Sequence, residues 1–486
     1  MGSRSVEGNC CLIDKREILE AASSFGLSPH VVEKDYVLGW LLAGIHAHEE
    51  IGEAWAFKGG TCLKKCYFET YRFSEDLDFT LRDESHIDEG FLKRALAEVV
   101  EWVAEQSGLT VPAEQIGIDI YTNPRGYLSC QGKIGYRGPV STTSGGWPKI
   151  KLDLTADETL VLPAVRREVF HPYSDRIEEG FWANCYAYEE AFAEKLRALG
   201  ERTRPRDLYD VVNLYRHADA RPSASVLLGV LTKKCAFKSV ALPSIEALLP
   251  HRQDLERMWQ DMLAHQLPSL PPWIAFWEAL PEIFNWIFGG AEALSAPPVH
   301  IAYETGETLV RSRVLPAEVL PQFRTSLEKI RFAAANRLCV DLSYGGSVRR
   351  IEPYSLRRTE AGNFVLHAVR RDSGESRSYR VDRMQGARVT DQSFTPRYLV
   401  ELTATGPLTV VAAGTSPRLV QPSRPWTLKP NRSSTTSSAG PTYVYRCTVC
   451  RKTFERKAMD GRLNPHKHPQ GYRCPGTVGV YVRTKF

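Results

Sequence analysis

The stretch that most restricts the fold of this chain is Ala56–Leu81, AFKGGTCLKKCYFETYRFSEDLDFTL. An apolar run ends at Ala56-Phe57, and Gly59-Gly60 turns the chain. Thr61 is placed to cap a short helix through Leu63, Lys64 and Tyr67. A loop containing Arg72 and Ser74 follows. Asp76-Leu77-Asp78-Phe79 then alternates with period two, so a strand there carries both carboxylates on one face and Leu77 and Phe79 on the other. Two like charges at that spacing repel unless a cation lies between them. A divalent metal meets that need, and Mg²⁺, with its preference for oxygen ligands and phosphates, fits best. The Gly-Gly-Thr turn offers backbone N–H groups at a helix start, which is an anion site. An anion site beside a paired-carboxylate metal site points to a nucleoside triphosphate held with Mg²⁺.

The rest of the 486 residues needs further folding units, about three in all by the usual size of domains. Net charge is only +5, but it is unevenly placed. From Pro441 to the end there are ten Lys or Arg and two Asp or Glu, so this tail carries +8 and favours a polyanion such as nucleic acid. Cys62, Cys66, Cys130, Cys185, Cys235 and Cys339 stand in apolar or helical contexts, as reduced core thiols do. The longest apolar run near the start, Tyr36 to Ile45, is too short to span a bilayer, and no signal peptide is evident, so a cytoplasmic location is expected.

Residues 13–45 read as two helices, the second with Val32, Tyr36, Trp40 and Leu41 on an apolar face, and Glu33-Lys34-Asp35 as polar punctuation, either an exposed charge cluster or part of an active site. His86 to Gln106 has the helical period, and residues 115–155 read as strands. In PKIKLDLT, Lys151, Asp153 and Thr155 share one strand face. YAYEEAFAEKLRALG ends at Gly200. A second helix then starts near Asp207, where Arg206 and Asp207 are placed to pair and Asp207 favours the helix N-terminus. Lys195 can reach a triphosphate as a point charge. Lys64 and Lys65 read as solvated lysines, one of which could assist phosphate binding. Residues 222–295 read as helical with a tryptophan-rich core, and a boundary is expected near 300–320.

The cassette, the preceding Glu-Lys-Asp-Tyr run and the later Glu-Lys-Leu-x-Ala-Leu and Pro-Arg-Asp-Leu-Tyr-Asp blocks resemble the AbiEii-type nucleotidyltransferase toxins over residues 10–300. The resemblance implies an α+β, polymerase-β-type domain with a helical extension. It also implies a bacterial toxin or phage-defence enzyme that moves a nucleoside monophosphate from an NTP to RNA, in characterised relatives the 3′ end of tRNA, with a cognate antitoxin as a possible partner. Asp76, Asp78, Asp153, Lys195 and Asp207 would be catalytic, with Mg²⁺ on Asp76 and Asp78. Gly59, Gly60, Thr61, Lys64, Ser74 and Arg206 would hold the nucleotide.

From Leu327 the sequence changes to short strand-like runs, LCVDLSY, RRIEPYSL, FVLHAVRR, SRSYRVDRM and SFTPRYLVEL. Glu352-Pro353-Tyr354 and Tyr379-Arg380-Val381-Asp382-Arg383 resemble landmarks of the WYL domain, a small Sm-like β-barrel, over 320–400; its eponymous tripeptide reads Phe364-Val365-Leu366 here. Tyr354, Arg370, Arg380 and Arg383 are candidate contacts to a nucleic acid or other ligand. Residues 422–441, Ser/Thr-rich, read as a flexible linker. In the tail 442–486, Cys447, Cys450 and Cys474 with His466 or His468 form a tetrahedral zinc set, His466 favoured by its likeness to small zinc-ribbon tails. So short a segment cannot fold on a hydrophobic core alone. A rival reading of the whole is a nucleic-acid-binding regulator whose nucleotidyltransferase fold only senses nucleotide.

Overall fold

A computed structural model describes residues 13–68, 72–141, 145–177, 180–217, 220–289, 299–310, 319, 321–402, 442–450, 452–456, 461–464, 466 and 474–485. The described residues up to 402 form one compact unit and those from 442 onward a second. The expected linker at 422–441 lies outside the described residues.

The first unit opens with helices α1 (Lys15–Phe25) and α2 (Pro29–Ala47). Asp14 caps α1 by accepting from the Arg16 N–H, and Gly26, at φ 67°, ends it in the left-handed conformation that a C-terminal glycine adopts without strain. The run from Val32 to Ile45 is buried almost without interruption. A helix buried all round is a core element rather than an amphipathic one. Glu33 and Asp35 are buried with it, so the run is not an exposed charge cluster.

Around α2 lies a seven-stranded mixed sheet of β1 (Trp55–Lys58), β2 (Asp76–Leu81), β3 (Ile116–Thr122), β4 (Leu128–Gly135), β5 (Lys149–Thr155), β6 (Val165–Glu168) and β7 (Trp182–Cys185). Its order is β3-β4-β5-β2-β1-β7-β6, with β2 at the centre. Helix α3 (Gly59–Cys62) runs into a π-helical turn at Leu63–Tyr67 between β1 and β2, and α4 (Glu89–Ser107) covers the sheet with Leu92, Leu96, Val99, Val100 and Val103. Cys62, Cys66 and Cys185 gather in the core with their sulfurs within 4.8 Å of one another, and burial raises the Cys62 and Cys185 thiols far above their ordinary range, as for inert structural cysteines.

The helical extension is α5 (Tyr188–Arg202), α6 (Pro205–Arg216), α7 (Ala224–Lys238), α8 (Ile245–Leu248), α9 (Arg252–Leu263), α10 (Ile274–Trp277) and α11 (Leu280–Phe288). Tyr209 stacks on Phe276 in its core with Trp259 tilted against both, as the tryptophan-rich pattern anticipates. After β8 (Thr308–Leu309), helix α12 (Pro321–Ala335) occupies the place where strands were expected to begin. It leads into an antiparallel sheet of β9 (Leu338–Tyr344), β10 (Ser347–Arg358), β11 (Phe364–Arg370), β12 (Ser376–Arg380) and β13 (Met384–Ser393), ordered β12-β11-β10-β9-β13. The last strand is therefore Met384–Ser393, and residues 394–402, read above as strand, are irregular.

One apolar core runs through both parts of this unit. Ser24 Oγ lies 3.2 Å from Thr325 Oγ1, and the Tyr209 hydroxyl hydrogen-bonds the Asn336 side chain. The second unit is a three-stranded sheet, β14 (Thr442–Cys447), β15 (Thr453–Arg456) and β16 (Gly479–Lys485), with β14 in the middle.

Candidate functional site

The site follows from strand register. Strands β1 and β2 are antiparallel with Lys58 opposite Asp78, while β2 and β5 are parallel with Asp76 opposite Lys151 and Asp78 opposite Asp153. Residues opposite each other on neighbouring strands share a sheet face about 5 Å apart. Asp76, Asp78 and Asp153 are thereby gathered on one face, although Asp153 is far from the other two in sequence.

Gly59 has φ 79°, and a Cβ there would sit 1.9 Å from Asp78 Oδ2. Only glycine fits, because the backbone is left-handed and the carboxylate fills the space. A Cβ on Gly60 would lie 2.6 Å from Arg72 Nη2 and 3.2 Å from Ser74 Oγ. The glycine pair is thus pressed between Asp78 and the Arg72–Ser74 loop. Thr61 is not the cap expected of it: it lies inside α3 and its hydroxyl donates to the Asp76 carbonyl, fastening the turn to β2.

Burial, with Asp153 and Asp76 alongside, pushes the Asp78 carboxyl up to about 6, against the pull of Lys58 and Lys195. Burial and the nearby Asp76 likewise raise Asp153, opposed by Lys151, Lys58 and a hydrogen bond from Gln131. Acids held this way are short of positive charge and fit a divalent cation.

Helices α5 and α6 bring a cationic frame to the same place. Lys195 Nζ lies 2.7 Å from Asp210 Oδ2 and 3.5 Å from Asp207 Oδ1. Arg72 grips Asp210 with two bonds of 2.8 and 2.9 Å and donates to Gln266 at 3.0 Å. Although burial works against it, the charges of Arg72 and Lys195 hold the Asp210 carboxyl well below its ordinary range. Asp207 is gripped by Arg202 at 2.7 and 2.8 Å, whereas Arg206 donates to the Met262 carbonyl at 3.2 Å. The expected Arg206–Asp207 pair is not formed, because consecutive helix residues point about 100° apart.

Lys64 and Lys65 are buried, not solvated. The Lys64 ammonium stands 4.2 Å from the Phe73 ring centroid, and Lys65 pairs with Asp35 at 2.7 Å. Glu33 accepts from the Ser141 N–H at 2.9 Å and its hydroxyl at 2.7 Å, and Lys34 pairs with Glu75 at 2.8 Å. The Glu-Lys-Asp run thus braces the loops around the acids. Lys58, Asp210, Arg202, Arg72 and Gln131 were not among the sequence candidates. Asp210 had a signal, since it repeats Asp207 three residues on, the spacing of one helix face.

In the C-terminal part of the first unit, Tyr354 is fully buried, bonded to Glu352 at 3.2 Å and to the Arg397 N–H at 3.2 Å, so it is a core residue rather than a ligand contact. Arg370 pairs with Asp372, Arg380 with Asp382 and Asn363, and Arg383 is exposed.

In the second unit, Cys447, Cys450, Cys474 and His466 place their ligand atoms within 4.8 Å of one another. The Val449 and Gly476 N–H groups each donate to a cysteine sulfur at 3.4 Å, and a Cβ on Gly476 would fall 2.5 Å from Cys447 Sγ. His466 Nδ1 lies 2.9 Å from the Asn464 carbonyl, which leaves Nε2 facing Cys450 at 3.2 Å. That outer contact orients a metal-binding histidine. Hydrogen bonds from the Cys450 and Val449 backbone and from the His466 and Cys450 side chains lower the Cys447 thiol to about 6 despite the cost of burial. His468 lies outside the described residues.

No curated protein matches the chain. Among solved structures it is similar to MenT4, a nucleotidyltransferase toxin from Mycobacterium tuberculosis H37Rv, at 21% identity and a TM-score of 0.38, covering 58% of this chain and 92% of that one. Residues 325–389 match the WYL domain. Residues 40–285, just over half of the 486, match the nucleotidyl transferase AbiEii toxin of type IV toxin–antitoxin systems, and the chain belongs to that family of nucleotidyltransferases.

Proposed function

We propose that the protein transfers a nucleoside monophosphate from an NTP to the 3′ end of an RNA, tRNA being the expected acceptor, and that it acts as a cytoplasmic toxin or phage-defence effector restrained by an antitoxin. The observation that carries the reading is the register that sets Asp153 opposite Asp78, with Gly59 closed against the Asp78 carboxylate. Asp76 and Asp78 would hold Mg²⁺, which when bound supplies charge neutralisation for the pyrophosphate that leaves. Gly59, Gly60 and Ser74 line the nucleotide side of β2. Lys195, fixed by Asp210 and Asp207, adds positive charge there, and Arg206 lies near on α6. Asp153, its carboxyl raised by burial and Asp76, takes the proton of the 3′-hydroxyl as the new O–P bond forms and the bond to pyrophosphate breaks. Thr61 and Asp207 act by positioning.

The Cys447, Cys450, His466, Cys474 set would hold a structural zinc ion. The basic second unit, and Arg370, Arg380 and Arg383 of the WYL domain, would add nucleic-acid affinity. The test is incubation with each labelled NTP, Mg²⁺ and total RNA, followed by separation of RNA from protein. Label on an RNA 3′ end supports the reading; binding of NTP with no transfer to RNA or protein would favour the regulator that only senses nucleotide.

A further inference from the structure

The face of the sheet that carries the three aspartates does not end with them. Its register runs outward from β2 through β5 and β4 to β3 in two parallel rows. One row is Asp78, Asp153, Gln131 and Asp119; the other is Asp76, Lys151, Lys133 and Gly117. The second row is cationic. Lys151 and Lys133 are exposed, as is Lys149, two residues before Lys151 on the same face. Among the described residues none of these three makes an ion pair; the acid on the outer part of this face is Asp119, in the other row. Tyr121, 44% exposed, follows two residues after Asp119.

We infer that this open face seats the phosphate backbone of the acceptor strand, with Lys151 and Lys133 on successive phosphates upstream of the reacting 3′ end. The inference rests on the nucleotidyltransferase reading above and names where its acceptor lies. The geometry divides β2 into two sides. On the β1 side, Gly59 and Gly60 close on Asp78 and the Arg72–Ser74 loop, which is the nucleotide side. On the β5 side stands Asp153, with Lys151 two residues away on the same strand and Lys133 one strand, about 4.8 Å, further out. Unpaired ammonium groups extending from a reaction centre are the complement of a chain of phosphates. A hydroxyl on a protein side chain brings no such chain of charge. Tyr121 offers a face on which an unpaired base can stack.

The test uses the full chain and a fluorescein-labelled single-stranded RNA of about twelve nucleotides with a free 3′-hydroxyl, followed by anisotropy without NTP over a series of salt concentrations. Each phosphate contact on a single strand contributes about 0.7 to the slope of log affinity against log salt. The double variant Lys133→Ala/Lys151→Ala should bind about tenfold more weakly, with a slope shallower by about 1.4. Lys133→Arg/Lys151→Arg, which keeps the charge, should bind as wild type, and so should Lys233→Ala, an exposed lysine on α7. Binding of a fluorescent ATP analogue should stay within twofold in every variant. Unchanged RNA affinity and slope in the double alanine variant would overturn the inference while leaving the nucleotidyltransferase reading intact, as would a wild type that binds no RNA yet labels protein. Failure of the wild type to bind the ATP analogue would instead remove the reading on which the inference rests.

Discussion

Replacing Asp78 by Asn should stabilise the metal-free protein while abolishing transfer. The side chain keeps its size, so the close fit against Gly59 survives. What changes is charge. Asp78 titrates at about 6 in the fold against an ordinary value of 3.8, because burial and two neighbouring aspartates disfavour its ionised form. An acid whose folded pKa is raised takes stability away as pH climbs between the two values, since the unfolded chain gives up its proton first. That rise corresponds to about 1–3 kcal/mol of stability, fully lost above pH 6. The neutral amide of the variant carries no such penalty, so at pH 7 without Mg²⁺ the variant should melt a few degrees above wild type, and the gap should close towards pH 4. Adding Mg²⁺ should raise the wild-type midpoint more than that of the variant. Transfer should fall about a thousandfold, as expected when several kcal/mol of charge neutralisation is lost at about 1.4 kcal/mol per factor of ten. Calorimetry at pH 4.5 and 7, with and without Mg²⁺, reads the first part; label incorporation from NTP reads the second. A variant that melts lower than wild type at pH 7, gains as much from Mg²⁺, or still labels RNA at the wild-type rate would refute the assignment of Asp78 as a strained metal ligand.

Gly59→Ala should cost about 1–2 kcal/mol from the left-handed backbone alone and should eliminate transfer, because its methyl group displaces the Asp78 carboxylate; a crystal structure with Asp78 unmoved would contradict this. Asp210→Asn strips the charged partner from Arg72 and Lys195 together, and chemical denaturation should show a loss of about 3–5 kcal/mol. The Asp210 carboxyl sits below its ordinary value, so its contribution is present at neutral pH and fades as pH drops below about 4; a wild type and variant that converge under acid support the pairing, and a constant gap does not. Metal analysis of the intact protein should give one tightly held zinc per chain, lost in Cys450→Ser, and a second unit that keeps its amide protection in chelator would exclude a structural metal.

The acid strand was legible because its information is local. Alternation fixes which face Asp76 and Asp78 occupy, and the same rule marked Lys151 and Asp153. That Asp153 stands opposite Asp78 rather than one pair away is a property of register, which alternation narrows but does not set. The buried charges were illegible for a different reason. Glu33, Asp35, Lys64 and Lys65 look solvated in sequence because burial of a charge is tolerated only with a partner, and their partners come from distant positions. Asp35 and Lys65 meet across 30 residues, Glu33 and Ser141 across 108. Tyr354 misled because β10 is buried on both faces from Ile351 to Arg357, where period two distinguishes nothing. The cysteines of the second unit were readable from ligand type and spacing in a segment lacking a core, whereas the preference for His466 over His468 rested on likeness alone.

Helix α6 has no idle side. Asp207 and Asp210 face the lysine and arginines of the reaction centre, while Tyr209 between them bonds Asn336 at the end of α12. The stretch matched by the nucleotidyltransferase family ends at residue 285, well before that contact. A gene fragment cut at the family boundary therefore encodes every reacting side chain yet strips the outer wall from the helix that aims two of them. Its product would lose the Tyr209–Asn336 bond and bare the apolar surface that α12 covers. Boundaries drawn by kinship and boundaries drawn by cohesion fall in different places in this chain, and a library of truncations scored for soluble yield would find the second.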